Sequence, residues 1–211
     1  MNKRRILCFG DSNTWGYVPR TDDIEERYPS GVRWTGRLQL LGGNEIEIIE
    51  EGLNSRTTAI ENPDRPGRNG LQYLGPCLES QNPIDLVILM LGTNDIVPKY
   101  HSSAEQILER IKLLVQKIQE LGQTQAHTPC KILLVAPPEP LFEFAYEKFR
   151  DPDLVTKLRT LSALMKDFAL QENIPFLNLA NEIQSSEVDG VHLSSEMHEK
   201  LAHLIWKKIS P

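Results

Sequence analysis

The sequence is poor in cysteine and has no long apolar run. Its three cysteines are odd in number and show no C-x-x-C spacing, which fits neither a disulfide framework nor a zinc cage. No apolar stretch approaches the roughly 20 residues that cross a bilayer. The apolar run after the basic N-terminus, residues 6–9, is far too short for a secretion signal. We therefore expect a cytoplasmic protein without a membrane partner.

Positive charge is also scarce. The chain has 23 Lys and Arg residues against 29 Asp and Glu residues, a formal net charge of −6 at pH 7. Because nucleic acids bind through clustered Lys and Arg side chains, we expect no nucleic-acid partner. A protein that acts on a small molecule is favoured instead. With 211 residues, of which 40% are hydrophobic, the chain can fill one sizeable core, and we expect residues 1–211 to form a single domain.

Short apolar runs alternate with helical patterns along the chain. The runs predict strands at residues 5–9, 45–50, 85–91, 131–136 and 175–179. The third and fourth are almost continuous Val, Ile and Leu, which is typical of parallel strands buried on both faces. Apolar spacing predicts helices over residues 107–121 and 154–171, and another that begins near Ser194 or Ser195. This alternation predicts an α/β fold with a doubly wound parallel sheet of about five strands.

Polar residues follow the first and the last predicted strands. Ser12 lies in Gly-Asp-Ser-Asn directly after the first strand, and Asp189 and His192 lie in Asp-Gly-Val-His after the fifth. Because ligands of such sheets bind beyond the carboxyl ends of the strands, these groups can meet. His192 can then act as a base for the Ser12 hydroxyl while Asp189 orients the imidazole. Alone, the serine is more often a helix N-cap, and the Asp-x-x-His pair is more often a simple turn.

Two further loops offer hydrogen-bond donors at the same edge. Asn94, in Gly-Thr-Asn-Asp, follows the most hydrophobic strand, and residues 52–58 follow the second strand. A side-chain amide and a backbone N–H are donors that stabilise the oxyanion of acyl transfer. In isolation an Asn-Asp pair is usually a turn. The placement of both loops after strands of one sheet favours a shared site.

Nucleotide and metal binding find no support in the motifs. The turn after the first strand has neither G-x-G-x-x-G nor G-x-x-x-x-G-K-[ST] spacing, and His198 and His203 are five residues apart rather than the four of a helix-borne zinc site. We expect no cofactor and no metal. Together with His101 and His127, these two histidines are expected to be surface or packing residues.

The four blocks resemble those of the SGNH (GDSL-type) hydrolases, most closely bacterial arylesterases that also act as acyltransferases. They lie at residues 10–13, 52–58, 92–95 and 189–192. The resemblance implies a flavodoxin-like three-layer α/β/α sandwich and a catalytic triad of Ser12, His192 and Asp189. It also implies an oxyanion hole formed by the N–H of Ser12, the N–H of Ser55 and the side chain of Asn94.

The chain departs from the family pattern at two positions. Asn13 replaces the Leu of the Gly-Asp-Ser-Leu form, which we expect to be harmless. Ser55 stands where many members have Gly, so it is expected to narrow the pocket or alter φ while the oxyanion hole survives. Trp15 and Thr93 are candidate substrate-binding residues, and packing of the first helical turn is the alternative for Trp15.

These observations predict a serine esterase that hydrolyses short-chain aryl or alkyl carboxylic esters through an acyl-enzyme, and the resemblance implies acyl transfer as a further activity. The alternatives are a carbohydrate O-acetylesterase or thioesterase with the same triad, and a catalytically silent binding domain. We also expect a homo-oligomer assembled through residues 137–152, since this connection is unusually aromatic and the resemblance to the arylesterase branch implies closed homo-oligomers. The alternative is that its rings fold back onto their own core. The apolar side chains in question are Leu141, Phe142, Phe144, Tyr146 and Phe149.

Overall fold

The computed structural model describes residues 3–22, 24–180 and 182–210. Its sheet has five parallel strands in the order β2-β1-β3-β4-β5. These are β1 Arg4–Gly10, β2 Ile46–Gly52, β3 Leu86–Met90, β4 Lys131–Ala136 and β5 Phe176–Asn178. All five predicted strands are confirmed, and every end lies within two residues of its predicted position.

The helices are α1 Ser12–Trp15, α2 Trp34–Gly42, α3 Gly70–Gln81, α4 Ala104–Leu121, α5 Pro152–Gln171 and α6 Ser195–Ile209. Two 3-10 turns occur at Pro98–Tyr100 and Glu147–Phe149. The predicted helices at 107–121 and 154–171 are α4 and α5, each starting earlier than expected. Of the two candidate caps of α6, Ser194 is the N-cap, and its side chain accepts the N–H of Met197 at 3.3 Å. Within the described residues, no helix is both long and apolar enough to span a membrane.

Helices cover both faces of the sheet. Along β1, Leu7 and Phe9 pack under α3, α4 and α5, whereas Ile6 and Cys8 pack under α2 and α6. This alternation is what a strand with two buried faces requires, because successive side chains point to opposite sides. The predicted three-layer α/β/α sandwich is confirmed.

The strand order creates a crevice next to β1. The chain passes from β1 to β2 on one side and from β3 to β4 and β5 on the other. Loops after β1 and β3 therefore leave the sheet in divergent directions, and this switch point is where open α/β sheets bind ligands. The Gly-Asp-Ser-Asn and Gly-Thr-Asn-Asp loops lie on either side of it.

Candidate active site

Ser12 opens the single-turn helix α1 immediately after β1. Asp11, not Ser12, is the N-cap, since its carboxylate accepts the N–H of Asn13 at 3.0 Å. The hydroxyl of Ser12 is therefore not needed for capping. Gly10 is required by close packing, because a Cβ there would lie 2.1 Å from Thr14 Oγ1. The turn that carries Ser12 therefore packs directly against the end of β1.

Ser12, His192 and Asp189 form one hydrogen-bonded chain. His192 Nε2 lies 3.0 Å from Ser12 Oγ, and His192 Nδ1 lies 2.7 Å from Asp189 Oδ2. The other carboxylate oxygen of Asp189 accepts the N–H groups of Val191 and His192, both at 3.0 Å. With Nδ1–H donating to the carboxylate, a neutral imidazole turns its lone pair on Nε2 toward the serine hydroxyl.

The environment of Asp189 keeps its carboxyl group ionised. Burial alone raises the pKa of this group, but the hydrogen bond and charge of His192 and the two backbone N–H donors outweigh it, so the pKa lies below its ordinary value. An anion at this position can orient the imidazole and stabilise the imidazolium that forms when the serine proton is taken up.

Two tyrosine rings pack against His192. The ring of Tyr17 stacks on the imidazole with a centroid separation of 4.2 Å, and the ring of Tyr146 meets it edge-on at 6.2 Å. The Tyr146 hydroxyl lies 3.4 Å from Asp189 Oδ2 and 3.0 Å from the carbonyl of Arg20. Neither tyrosine was among the predicted site residues. No motif spacing marks them, although Tyr146 belongs to the aromatic connection at residues 137–152.

The two predicted oxyanion loops converge on the same cavity. Asn94 Nδ2 donates one hydrogen to the carbonyl of Arg56 at 3.0 Å, which leaves its second amide hydrogen for a ligand. Ser55 has φ of 63°, the left-handed region that glycine prefers. Its hydroxyl accepts a hydrogen bond from Arg65 at 3.3 Å. The backbone at Ser55 therefore has the conformation expected of the family glycine, despite its side chain.

A buried carboxylate ties these two loops together. Asp95 accepts the N–H of Thr58 at 3.1 and 3.0 Å and also its hydroxyl. Burial raises the pKa of Asp95 to about 6. The nearby Asp11 is also fully buried, and burial raises its pKa to about 6 as well. Asp95 thus joins the loops after β2 and β3, whereas the hydrogen bond of Asp11 stays within the turn after β1.

The cavity above these groups has a volume of about 440 Å³. Thr93 lines it, as predicted for a substrate-binding residue, but Trp15 does not. The chain leaves α1 at Gly16 with φ of 88°, which brings Tyr17 rather than Trp15 to the cavity. The Arg27 guanidinium instead lies over Trp15, with its Cζ atom 5.3 Å from the centroid of the indole ring. The expectation that Trp15 walls the acyl pocket is not supported, and the packing alternative describes its position.

The other histidines do not reach the cavity. His198 is fully buried and its Nδ1 accepts the N–H of Trp34 at 3.3 Å. Burial lowers the pKa of His198 to about 3. His101, His127 and His203 are exposed. Their positions match the expectation of packing and surface roles.

Comparison with known proteins identifies the family. The model of the GDSL-like lipase/acylhydrolase family matches residues 8–200. A comparison with functionally curated proteins finds no match. Among solved structures, the carbohydrate acetylesterase Est24 from Sinorhizobium meliloti shares 36% identity over 99% of both chains, with a TM-score of 0.90.

Two other solved structures are similarly close. The aryl esterase of M. smegmatis shares 34% identity over 98% of both chains, with a TM-score of 0.88. A carbohydrate acetylesterase family member from Sinorhizobium meliloti shares 29% identity over 99% of this chain and 100% of the other, with a TM-score of 0.86. The chain therefore belongs to the GDSL-like lipase/acylhydrolase family and is a serine carboxylic ester hydrolase.

Proposed function

We propose that the protein cleaves short-chain carboxylic esters through an acyl-enzyme on Ser12. The single observation that carries the proposal is the chain of hydrogen bonds from Ser12 Oγ to His192 at 3.0 Å and from His192 to Asp189 at 2.7 Å. In this scheme His192 removes the proton of Ser12 as its Oγ attacks the carbonyl carbon. The same proton then passes to the leaving alcohol, and a water molecule repeats the sequence in reverse to release the acid.

The oxyanion of the tetrahedral intermediate is proposed to bind between Ser12, Ser55 and Asn94. All three residues line the cavity that holds His192. The first residue of a helix has an N–H without an intrahelical acceptor, and the free amide hydrogen of Asn94 adds a second donor. Donors that are fixed before the reaction stabilise developing charge without reorganisation. The backbone N–H of Ser55 supplies the third.

Aryl and alkyl esters with a small acyl group are the leading substrates. Tyr17 and Tyr146 both contact the imidazole and line the cavity together with Ser12, so the space next to the nucleophile is bounded by aromatic rings. The aryl esterase from M. smegmatis supports this substrate class by similarity. Transfer of the acyl group to an alcohol instead of water uses the same acyl-enzyme, and we propose it as a second reaction of the same site.

A polar leaving group such as an acetylated sugar is the second candidate. The outer part of the cavity carries charged side chains, namely Asp22, Glu25, Arg65, Glu147 and Lys148. Charged and polar groups can hydrogen-bond sugar hydroxyls, which a purely apolar rim cannot do. The similarity to the carbohydrate acetylesterase Est24 supports this alternative.

A substrate panel tests the proposal and separates the candidates. The panel contains p-nitrophenyl esters from acetyl upward, acetylated sugars and acyl-CoA, each with kcat/KM measured. A preference for acetyl over longer acyl groups is expected. A fluorophosphonate should also add one adduct to the protein, located on Ser12 by peptide mass spectrometry. Absence of turnover on every ester, or an adduct elsewhere, would overturn the proposal.

We further propose that copies of the chain associate through residues 137–152. Phe149 folds back into the core, but Phe142 and Phe144 remain 37% and 44% exposed. Exposed aromatic neighbours favour burial against another surface. Light scattering should give a mass above the 24.0 kDa of one chain, and Phe142→Asp with Phe144→Asp should reduce it. A mass of one chain across micromolar concentrations would exclude association.

A cytoplasmic location is proposed from the state of the thiols. Cys8, Cys77 and Cys130 are buried and free. Burial raises the pKa of Cys77 to about 12 and that of Cys130 to about 11, so both remain protonated and unreactive. Such thiols need no oxidising compartment. Fractionation of cells that make the protein checks this, and recovery outside the cytoplasm would contradict it.

A further inference from the structure

The nucleophile and its base come from opposite ends of the chain. Ser12 follows β1, whereas His192 lies in the long connection between β5 and α6. Ordinary sheet hydrogen bonds do not fix their separation, because β5 ends at Asn178. Some other contact must hold the histidine loop, residues 189–194, against the nucleophile turn, residues 10–16.

Asn13 supplies that contact. Its Oδ1 accepts the N–H of Leu193 at 3.1 Å, and its Nδ2 faces the carbonyl of Val191 at 3.4 Å. One amide side chain therefore hydrogen-bonds the backbone on both sides of His192. Among the described residues, only one further hydrogen bond joins the histidine loop to the nucleophile turn, and it is the one between His192 and Ser12.

Because the site is buried, water cannot readily replace these two hydrogen bonds. Asn13 is only 2% exposed, and Leu193 and Val191 are buried. If the amide is removed, water cannot easily satisfy the N–H of Leu193. The backbone of Asn13 is itself fixed, since its carbonyl accepts the indole N–H of Trp34 at 3.1 Å. Tyr17 also contacts His192, but through the face of the ring rather than the loop backbone.

We propose that Asn13 is a positioning residue that sets the distance between Ser12 and His192. The proposal rests on the function proposed above for these two residues. It replaces the expectation that Asn at this position is a harmless substitute for Leu, because a leucine side chain can make neither hydrogen bond. Small displacements of a general base are costly in rate, while substrate binding does not depend on them.

The test compares Asn13→Ala with Asn82→Ala. Asn82 makes the same pair of bonds at the opposite edge of the sheet, donating to the carbonyl of Leu121 at 2.8 Å and accepting the N–H of Gln123 at 3.0 Å. Both variants should lose thermal stability. Only Asn13→Ala should lower kcat on p-nitrophenyl acetate, by about 10- to 100-fold with KM within about 2-fold. Its rate of fluorophosphonate labelling at Ser12 should fall in parallel.

A second variant separates hydrogen bonding from packing. Asn13→Leu fills the space with a branched side chain and restores neither bond, so its kcat should stay low. Wild-type kcat in folded Asn13→Ala, or recovery in Asn13→Leu, would overturn the proposal. Should Asn13→Ala fail to fold, Asn13→Leu alone decides it. Failure of the proposed function looks different, since wild-type protein would then be inactive or Ser12→Ala would remain active.

Discussion

The two sides of the site are built differently. On the nucleophile side, Ser12, Ser55 and Asn94 follow β1, β2 and β3, three adjacent strands of the sheet. On the histidine side, residues 185–194 are held by hydrogen bonds to another connection, in addition to the two from Asn13. The carbonyl of Gly190 accepts the N–H of Leu141 at 2.7 Å, and Ser185 Oγ donates to the carbonyl of Glu139 at 2.9 Å.

The difference separates the chemistry into a part fixed by the sheet and a part fixed by loops. Gly190 shows how close the loops pack, since its φ is 68° and a Cβ there would lie 2.4 Å from Ala145 N. Residues 137–152 therefore pack against the histidine loop and support it. In the proposed mechanism, charge stabilisation belongs to the side that follows the sheet strands, here called the rigid side, and proton transfer to the loop side. Variants on each side should consequently differ in size and in the kinetic constant they change.

The largest effect is expected on the rigid side, at the nucleophile itself. Ser12→Ala removes the attacking oxygen and should lower kcat by about 10³-fold or more. The fold should persist, because Asp11 rather than Ser12 caps α1, and circular dichroism should match the wild type. Unchanged ester hydrolysis by this variant would eliminate the acyl-enzyme mechanism.

A smaller effect is expected at the proposed oxyanion donor on the same side. Asn94→Ala should lower kcat by roughly 10²- to 10³-fold with little change in KM, because the amide acts as negative charge develops. Steady-state kinetics on p-nitrophenyl acetate measures both constants. A change confined to KM would instead make Asn94 a ground-state binding residue.

The sequence predicts the rigid side better than the loop side. The alternation of strand and helix patterns predicts a parallel sheet, whose carboxyl ends share one edge, and this places the loops after β1, β2 and β3 together. The helices α2 and α3 were not anticipated. Their segments contain Gly36, Gly42, Gly75 and Pro76, which weaken helix propensity, so these helices depend on packing against the sheet.

Contacts between loops are less visible in the sequence. Tyr17 and Tyr146 meet at His192 from positions more than a hundred residues apart, and no periodicity relates them. Asn13 looked neutral for the same reason, since its partners lie in the histidine loop. Trp15 looked suited to the pocket because of its nearness in sequence to Ser12, but the turn at Gly16 directs Tyr17 there instead.

The loop side can be weakened by removing one hydroxyl. Tyr146→Phe removes the hydroxyl that lies 3.4 Å from Asp189 Oδ2. We expect kcat to fall about 5-fold, which corresponds to the free energy of one long hydrogen bond. Tyr73→Phe is the matched control, because its hydroxyl donates to Glu51 at 3.1 Å away from the cavity. Equal kinetics for the two variants would show that Tyr146 does not support the triad.

The smallest effect on activity, and a clear one on stability, is expected at His198 behind the histidine loop. Its pKa is lowered to about 3 by burial, against an ordinary value of 6.5. Between these values the unfolded chain binds a proton that the folded protein does not, so stability is lost as the pH falls through 6.5 toward 3. From pH 7 to pH 5 this contribution is about 2 kcal/mol.

Acidification also has an opposing effect in the same protein, which a single substitution can separate. Asp11 and Asp95 have pKa values raised from 3.8 to about 6, so the folded state gains protons and stability as the pH falls through that window. The plot of wild-type stability against pH therefore contains a destabilising contribution from His198 and a stabilising one from Asp11 and Asp95. His198→Gln removes only the destabilising contribution. Its free energy of unfolding, relative to that of the wild type, should rise by about 2 kcal/mol as the pH is lowered from 7 to 5, measured by urea titration. His203→Gln, at an exposed position, should leave the difference constant. Parallel curves for His198→Gln and the wild type would mean that the buried imidazole is protonated in the folded state.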